Sequence, residues 1–248
     1  MLNYIHADLH RIFRRTSRYV IIILFFAIAL GIEFYQAVSR SYNSVNLVAA
    51  AATLFDGAAL VLGIVELQSV FADDFNAKTM QIAIGLGISR PKVVLVKLLD
   101  FAILSLVDSL VLMVLFILGG TFCGIHLLGD QVYLLVVSAI GNALYMTLVT
   151  AFTMIPVFYL QSTSLAILFF LIISIDPIKI ILMLFSTKEI VMNLHLMELP
   201  YSIVAETLTT QLSLRNAVPI PQLIGVIAYL AIAYGLTVLV FKKRELDF

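Results

Sequence analysis

The sequence predicts an all-α, polytopic membrane protein, and three observations carry that reading. Of its 248 residues, 62% are hydrophobic and only 12% are charged, against roughly 25% charged in a soluble domain. Mean hydropathy is +1.09. Six apolar runs are each long enough to cross a bilayer, which takes about 20 helical residues. The runs are unbroken rather than alternating, so helices are expected and not barrel strands. Polar surface is too scarce to clothe a water-facing globule. Lipid is the expected solvent for most of the surface, and no nucleic-acid partner is expected.

The first element is a surface helix over Met1–Arg18. Leu2, Ile5, Leu9, Ile12 and Phe13 recur at helical spacing, while His6, Asp8, His10, Arg11, Arg14 and Arg15 fall mostly elsewhere. Such a helix lies along a membrane interface. The first apolar run follows these arginines without a small-residue cleavage pattern, so a retained span is expected. The six spans are placed near Tyr19–Val38, Val45–Ala72, Lys97–Phe122, Val132–Tyr159, Leu165–Phe185 and Pro221–Phe241. The second and fourth exceed the bilayer and are free to tilt or protrude. Asp176-Pro177 marks a break in the fifth, because proline removes a backbone donor. Between spans five and six, Ser186–Ile220 sets Ile190, Met192, Leu194 and Leu199 among Glu189, Glu198 and Glu206. Short outer helices, interfacial or re-entrant, suit that composition better than a bare loop. No internal repeat stands out, and residues 1–248 read as one membrane domain.

Orientation follows from the basic residues. With the N-terminus inside, the inner segments hold Arg11, Arg14, Arg15, Arg18, Lys78, Arg90, Lys92, Lys97, Lys242, Lys243 and Arg244. The outer segments hold only Arg40, Lys179, Lys188 and Arg215. Positive charge stays on the cytoplasmic side, so both termini are expected there. Lys92 and Lys97 are expected at the lipid headgroups.

The chain has no P-loop, no H-E-x-x-H and no G-x-S-x-G. Its one cysteine, Cys123, excludes an internal disulfide and a multi-cysteine metal site. Nothing supports an enzyme or a bound cofactor. Acids within the second to sixth runs are Asp56, Glu66, Asp100, Asp108 and Asp176. A charge at the bilayer centre costs about 2.5–3.5 kcal/mol on insertion scales, so each needs water or a protein partner. Glu66, Asp100 and Asp176 lie near run ends, where reaching water is the simple expectation. Asp56 and Asp108 lie deeper and are the candidate translocation-path residues, as a proton relay or substrate contact. Gly120 and Gly124 have G-x-x-x-G spacing, which reads as close helix packing or as a helix stop. The chain has no tryptophan, so Tyr19, Tyr35, Tyr42, Tyr133 and Tyr159 are the expected interfacial anchors.

The polar interruption between spans two and three is the place where a soluble partner would be felt. Ala77–Leu86 predicts a short helix, with Gly85 and Gly87 supplying its stop. Ser89 predicts an N-cap with Pro91 in the first turn of the next helix. A transverse helix joined stiffly to two spans can transmit a push; a plain topology-setting loop is the alternative.

The residues Asp73 or Asp74, Lys78-Thr79, Ser89-Arg90 and Lys97 occur in an order and spacing that resembles the signature of ABC-2 family permeases of ABC transporters. The general plan is also similar: a surface helix, six spans, and short outer helices before the last. The ending Phe241-Lys242-Lys243-Arg244-Glu245-Leu246-Asp247 looks like family endings. Lys78 stands where many members have glycine, and Gly87-Ile88 where many have Pro-Val. The resemblance implies one ABC-2-type transmembrane domain in a bacterial plasma membrane. It further implies a dimer of permease chains with two cytoplasmic ATPase subunits, which bind the ATP and magnesium. The segment containing Asn76, Lys78, Thr79, Met80, Gln81, Ile82, Ala83, Ile84, Gly87, Ser89 and Arg90 would be the coupling helix and its turn. Met80, Ile82, Ala83 and Ile84 are the expected anchors on the ATPase, with Lys78 and Arg90 at the rim. Size and the K-T…G-I-S-R variant look most like exporters of antimicrobial peptides or self-protection permeases. A proton-coupled secondary transporter using Asp56 and Asp108 is the alternative expectation.

Overall fold

The computed structural model describes residues 2–38, 44–76, 79–186, 196–214 and 219–243. Among them every regular element is helical. In chain order they are α1 (Leu2–Phe13), α2 (Thr16–Val38), α3 (Ser44–Asn76), α4 (Thr79–Gly85), α5 (Arg90–Phe122), α6 (Gly129–Leu160), α7 (Thr163–Ser174) and α8 (Pro177–Leu184). A 3-10 turn at Leu196–Glu198 precedes α9 (Tyr201–Ser213) and α10 (Ile220–Lys243). Six helical stretches are long and apolar enough to cross a membrane, so the chain is an all-α multi-pass membrane protein.

The helices run further than the apolar runs, because polar flanks continue them. The α5 helix begins at Arg90, with Pro91 in its first turn where a missing N–H costs nothing. Ser89 occupies the N-cap position, but its side chain makes no capping bond. The α6 helix begins at Gly129, and the Gln131 side chain accepts the Leu128 N–H at 2.9 Å.

The centre of the bundle is α6, which packs against α3, α5, α7, α9 and α10. Its buried face supplies Leu148, Val149, Ala151, Met154, Val157 and Phe158. Around Phe158 stand Phe71 of α3 and Phe241 of α10, at ring separations of 5.7 and 4.8 Å. A second apolar cluster, with Phe55, Phe116 and Leu135, fills the opposite half of the bundle. Where α9 crosses α6, Gly141 makes room: a Cβ there would fall 2.5 Å from Thr209 Oγ1.

The fifth span divides at the expected place. Asp176 adopts φ 51°, ψ 73° and caps α8, accepting the Lys179 N–H at 3.1 Å. Proline at the next position disfavours the α conformation for Asp176, and a short polar side chain tolerates the left-handed one. The carbonyls freed by the break find hydroxyl donors. Tyr145 of α6 donates to Ser174 O at 2.6 Å, and Tyr201 of α9 donates to Ile173 O. Non-helical backbone at membrane depth survives only when protein satisfies it in this way.

The α9 helix sits deeper than an interfacial helix. Its first residue, Tyr201, packs on Tyr145 and Phe152, midway along α6. Its last turn meets the beginning of α6, where Tyr133 donates to Leu212 O at 2.7 Å. The helix therefore rises from half-depth to the end of the bundle remote from α4. The expected outer helices are present as the 3-10 turn and α9; residues 187–195 and 215–218 lie outside the described residues.

Several expectations are corrected by burial. Glu66, Asp100 and Asp176 do not reach water; all three are enclosed by protein. Lys97 is not at the headgroups but completely buried, because α5 starts two turns earlier than hydropathy suggests. Asp8 and Ile12 of α1 are buried, so one face of this amphipathic helix packs onto α5 and α3, while His6, His10 and Arg14 stay exposed. Gly120 accommodates the Glu33 carboxyl of α2, whereas Gly124 is a turn residue at φ 77°. Of the tyrosines, Tyr35 and Tyr159 are exposed, and Tyr42 lies outside the described residues. Tyr19 donates to Phe13 O at 2.6 Å, which ties α2 to α1.

Candidate functional site

Two regions concentrate chemistry: the bundle end that carries α4, and a cavity at the opposite half of α6.

The seven-residue α4 helix is anchored from inside. Met80 and Ala83 are buried and Met80 belongs to the main core, with Ile84 packed against it. This corrects the expected anchor set, since Met80 and Ala83 hold α4 to its own chain. What α4 offers outward is Ile82, 59% exposed, and Leu86 just beyond it, 81% exposed. The helix closes as expected: Ile88 N–H donates to Ala83 O at 3.1 Å, and Gly87 N–H to Ile84 O at 3.0 Å. Gly87 takes φ 92°, a value that favours glycine. Thr79 and Gln81 are half-buried, Ser89 is exposed, Asn76 ends α3, and Lys78 lies outside the described residues.

Arg90 is not a rim charge. Its Nη1 donates to Phe241 O at 2.7 Å and Lys242 O at 3.0 Å, and its guanidinium stands 5.4 Å from the Phe241 ring. A cation on the last carbonyls of α10 is the favourable end of the helix dipole. The start of α5 and the end of α10 are thus fastened together.

Deeper at the same end lie two buried ion pairs. Lys97 Nζ meets Asp8 Oδ2 at 2.5 Å, with Val70 O at 3.4 Å and the Tyr4 ring at 5.7 Å. Arg18 forks onto Asp108, its Nε lying 2.8 and 2.7 Å from the two carboxylate oxygens. The Phe13 ring covers the same guanidinium at 4.3 Å, and Glu66 of α3 touches Asp108. Four helices are linked through these groups: α1 and α2 to α5, with α3 alongside. Asp108, one candidate for the translocation path, is therefore the carboxylate partner of Arg18.

Asp56, the other candidate, lines a different space. A cavity of about 480 Å³ opens between α3, α6, α8 and α9, lined by Asp56, Asn142, Tyr145, Lys179, Glu206 and Thr209 among others. Lys179 Nζ lies 3.6 Å from Glu206 Oε2, and the Asn142 amide is in reach of Asp56. The structure does not bring Asp56 and Asp108 to one site. Hydropathy hid Lys179 and Glu206, which counted only as outer charges; Asn142 was a visible signal, being an amide in an otherwise apolar run. Glu33, buried over Gly119 and Gly120, also stood in plain view inside the first run. Among the described residues no three His, Cys, Asp or Glu side chains are grouped to hold a metal ion.

No protein-family model matches the chain, and no curated protein matches it. The permease resemblance rests on the motif residues, the general plan and the ending of the sequence.

Proposed function

We propose that the chain is the membrane subunit of an ATP-driven exporter. Two such chains would pair, and cytoplasmic ATPase subunits would bind ATP and magnesium. The cargo would be amphipathic or hydrophobic: an antimicrobial peptide, a lipid or a drug.

The observation that supports this reading is α4 and its fastenings. A short helix is locked inward by Met80 and Ala83 and presents bare Ile82 and Leu86 on its outer side. Exposed apolar residues beside a charged turn are what a partner's groove would bury. A push there has rigid paths onward. It reaches α3 and α5 through the chain, α10 through Arg90, and α1 through Lys97 and Asp8. Differential contact of α4 with two states of the ATPase would shift the spans between two arrangements.

The alternative, a proton-coupled carrier using Asp56 and Asp108, has less support. Asp108 is neutralised by Arg18, and the two acids line separate spaces.

The test is purification of the full chain with its genomic neighbours co-expressed. A stoichiometric P-loop ATPase is expected, with cargo-stimulated ATP hydrolysis in nanodiscs. Transport by the chain alone, driven by a proton gradient, would reject the proposal.

A further inference from the structure

We propose that the cavity between α3, α6, α8 and α9 is a binding site for an organic ammonium group, the head of a primary-amine amphiphile. The argument uses the cavity's charge, its hydrogen-bonding and its size, and holds whether transport is driven by ATP or by protons.

Charge comes first. The cavity holds two carboxylates, Asp56 and Glu206, and one cation among the described lining residues, Lys179. Lys179 is engaged with Glu206 at 3.6 Å. Asp56 has the Asn142 amide beside it but no cation of its own in the lining. A carboxylate held at membrane depth calls for a cation or a proton to compensate it.

Hydrogen bonding then narrows the ligand. Three hydroxyls around the cavity have given their protons to backbone carbonyls. Thr209 donates to Ala205 O at 2.8 Å, Thr210 to Glu206 O at 2.8 Å, and Tyr145 to Ser174 O at 2.6 Å. A hydroxyl that donates once keeps lone pairs to accept with. The lining thus offers two carboxylates and three hydroxyl oxygens as acceptors. Beside them stand the Lys179 ammonium, already at Glu206, the Asn142 amide, and the Ser138 and Ser202 hydroxyls. An ammonium group carries three donors and no acceptor, which complements this set.

Size sets the scale. A cavity of about 480 Å³ falls in the range of small-molecule sites, about 300–1,000 Å³. Tyr145 of this cavity stacks on Tyr201, and Tyr201 lines a separate apolar hollow of about 370 Å³ with Phe152, Pro156, Ile178, Leu199 and Tyr229. An apolar tail and an ammonium head would therefore find suitable surroundings on the two sides of this stacked pair.

The experiment uses the full chain in nanodiscs and the environment-sensitive amine dansylcadaverine, with empty nanodiscs as the partition control. Saturable, blue-shifted fluorescence is expected. The N-acetyl derivative lacks the charge, and the trimethylammonium derivative keeps charge but loses donors. Both should bind about tenfold more weakly, as loss of a charge-assisted hydrogen bond implies. Asp56→Asn should weaken the amine about tenfold by the same reasoning, while Asp130→Asn, outside the cavity, should not. Ala52→Phe keeps every charge and fills the cavity; it should also abolish binding, with a monodisperse elution profile showing the chain intact. Unsaturable partition, indifference to Asp56→Asn or Ala52→Phe, or equal binding of either derivative would overturn the proposal.

Discussion

Lys97 and Asp8 form an ion pair in which the lysine exposes no surface at all. The two residues are joined across 89 positions of sequence, and the bond sets α1 against α5. Neither partner has water to fall back on. Lys97→Ala leaves Asp8 only the part-exposed Arg11, whose Nη2 lies 2.7 Å from Asp8 Oδ1, so the loss should fall below the about 3–5 kcal/mol of a buried pair wholly broken. Lys97→Met with Asp8→Asn removes both charges and should recover most of that loss. Thermal unfolding in detergent, followed by circular dichroism and elution profile, measures both.

Arg18 and Asp108 should behave as a unit. Asp108→Asn and Arg18→Gln are each expected to destabilise, and the double variant should cost less than the two summed. A coupling energy of about 1–3 kcal/mol is the range for contacting charged groups. Coupling near zero would show that the pair contributes nothing. The design also separates stability from transport, since a loss of activity in Asp108→Asn that tracks its loss of folded protein is a structural effect.

The two faces of α4 should give opposite phenotypes. Met80→Asp puts a charge into the core and should leave little folded protein. Ile82→Asp with Leu86→Asp changes only exposed positions, so insertion and elution should be unchanged. On the proposed function, that double variant should lose both ATPase binding and its stimulation. Retention of partner affinity, measured by co-purification, would exclude α4 as the coupling surface.

Topology is testable at the same place. In a Cys123→Ser background, Leu86→Cys should resist an impermeant maleimide added to intact cells and react in inverted vesicles. Phe122→Cys, at the other end of α5 and 86% exposed, should show the reverse. Labelling of position 86 from outside would invert the orientation inferred from the basic residues.

Gly141 should be hard to replace. Its Cβ would meet Thr209 Oγ1 at 2.5 Å and Cγ2 at 2.7 Å, and overpacking of this kind costs about 1–3 kcal/mol. Thr209→Ala removes both contacting atoms, so Gly141→Ala with Thr209→Ala should be more stable than Gly141→Ala alone. Unfolding midpoints of the three variants decide it.

How much of this was legible depends on range. Local chemistry announced itself: the apolar runs, the Gly87 stop, Pro91 in a first turn and the Asp176-Pro177 break are written within a few residues. Partners distant in sequence were not. Nothing around Lys97 names Asp8, and nothing around Asp108 names Arg18, so a lysine was placed at the headgroups and an aspartate on a translocation path. Burial direction on α4 was illegible for a related reason. Met80, Ile82, Ala83 and Ile84 are all apolar, and only the packing of α4 on α3 and α5 decides which of them turn inward. The cavity was the least legible feature, because its lining comes from four helices and nothing in the sequence brings Lys179 and Glu206, two outer charges, beside Asp56.

The break in the fifth span has a consequence for biogenesis. Its freed carbonyls are held by Tyr145, which is synthesised earlier, and by Tyr201, which is synthesised later. Asp176 likewise accepts the backbone N–H of Ser202, 26 residues downstream, at 3.3 Å. A nascent chain that has produced only α7 and α8 lacks two of these three donors. The bend is completed once α9 leaves the ribosome and folds back to half-depth, so the polar cavity that α9 walls is among the last parts of the protein to exist.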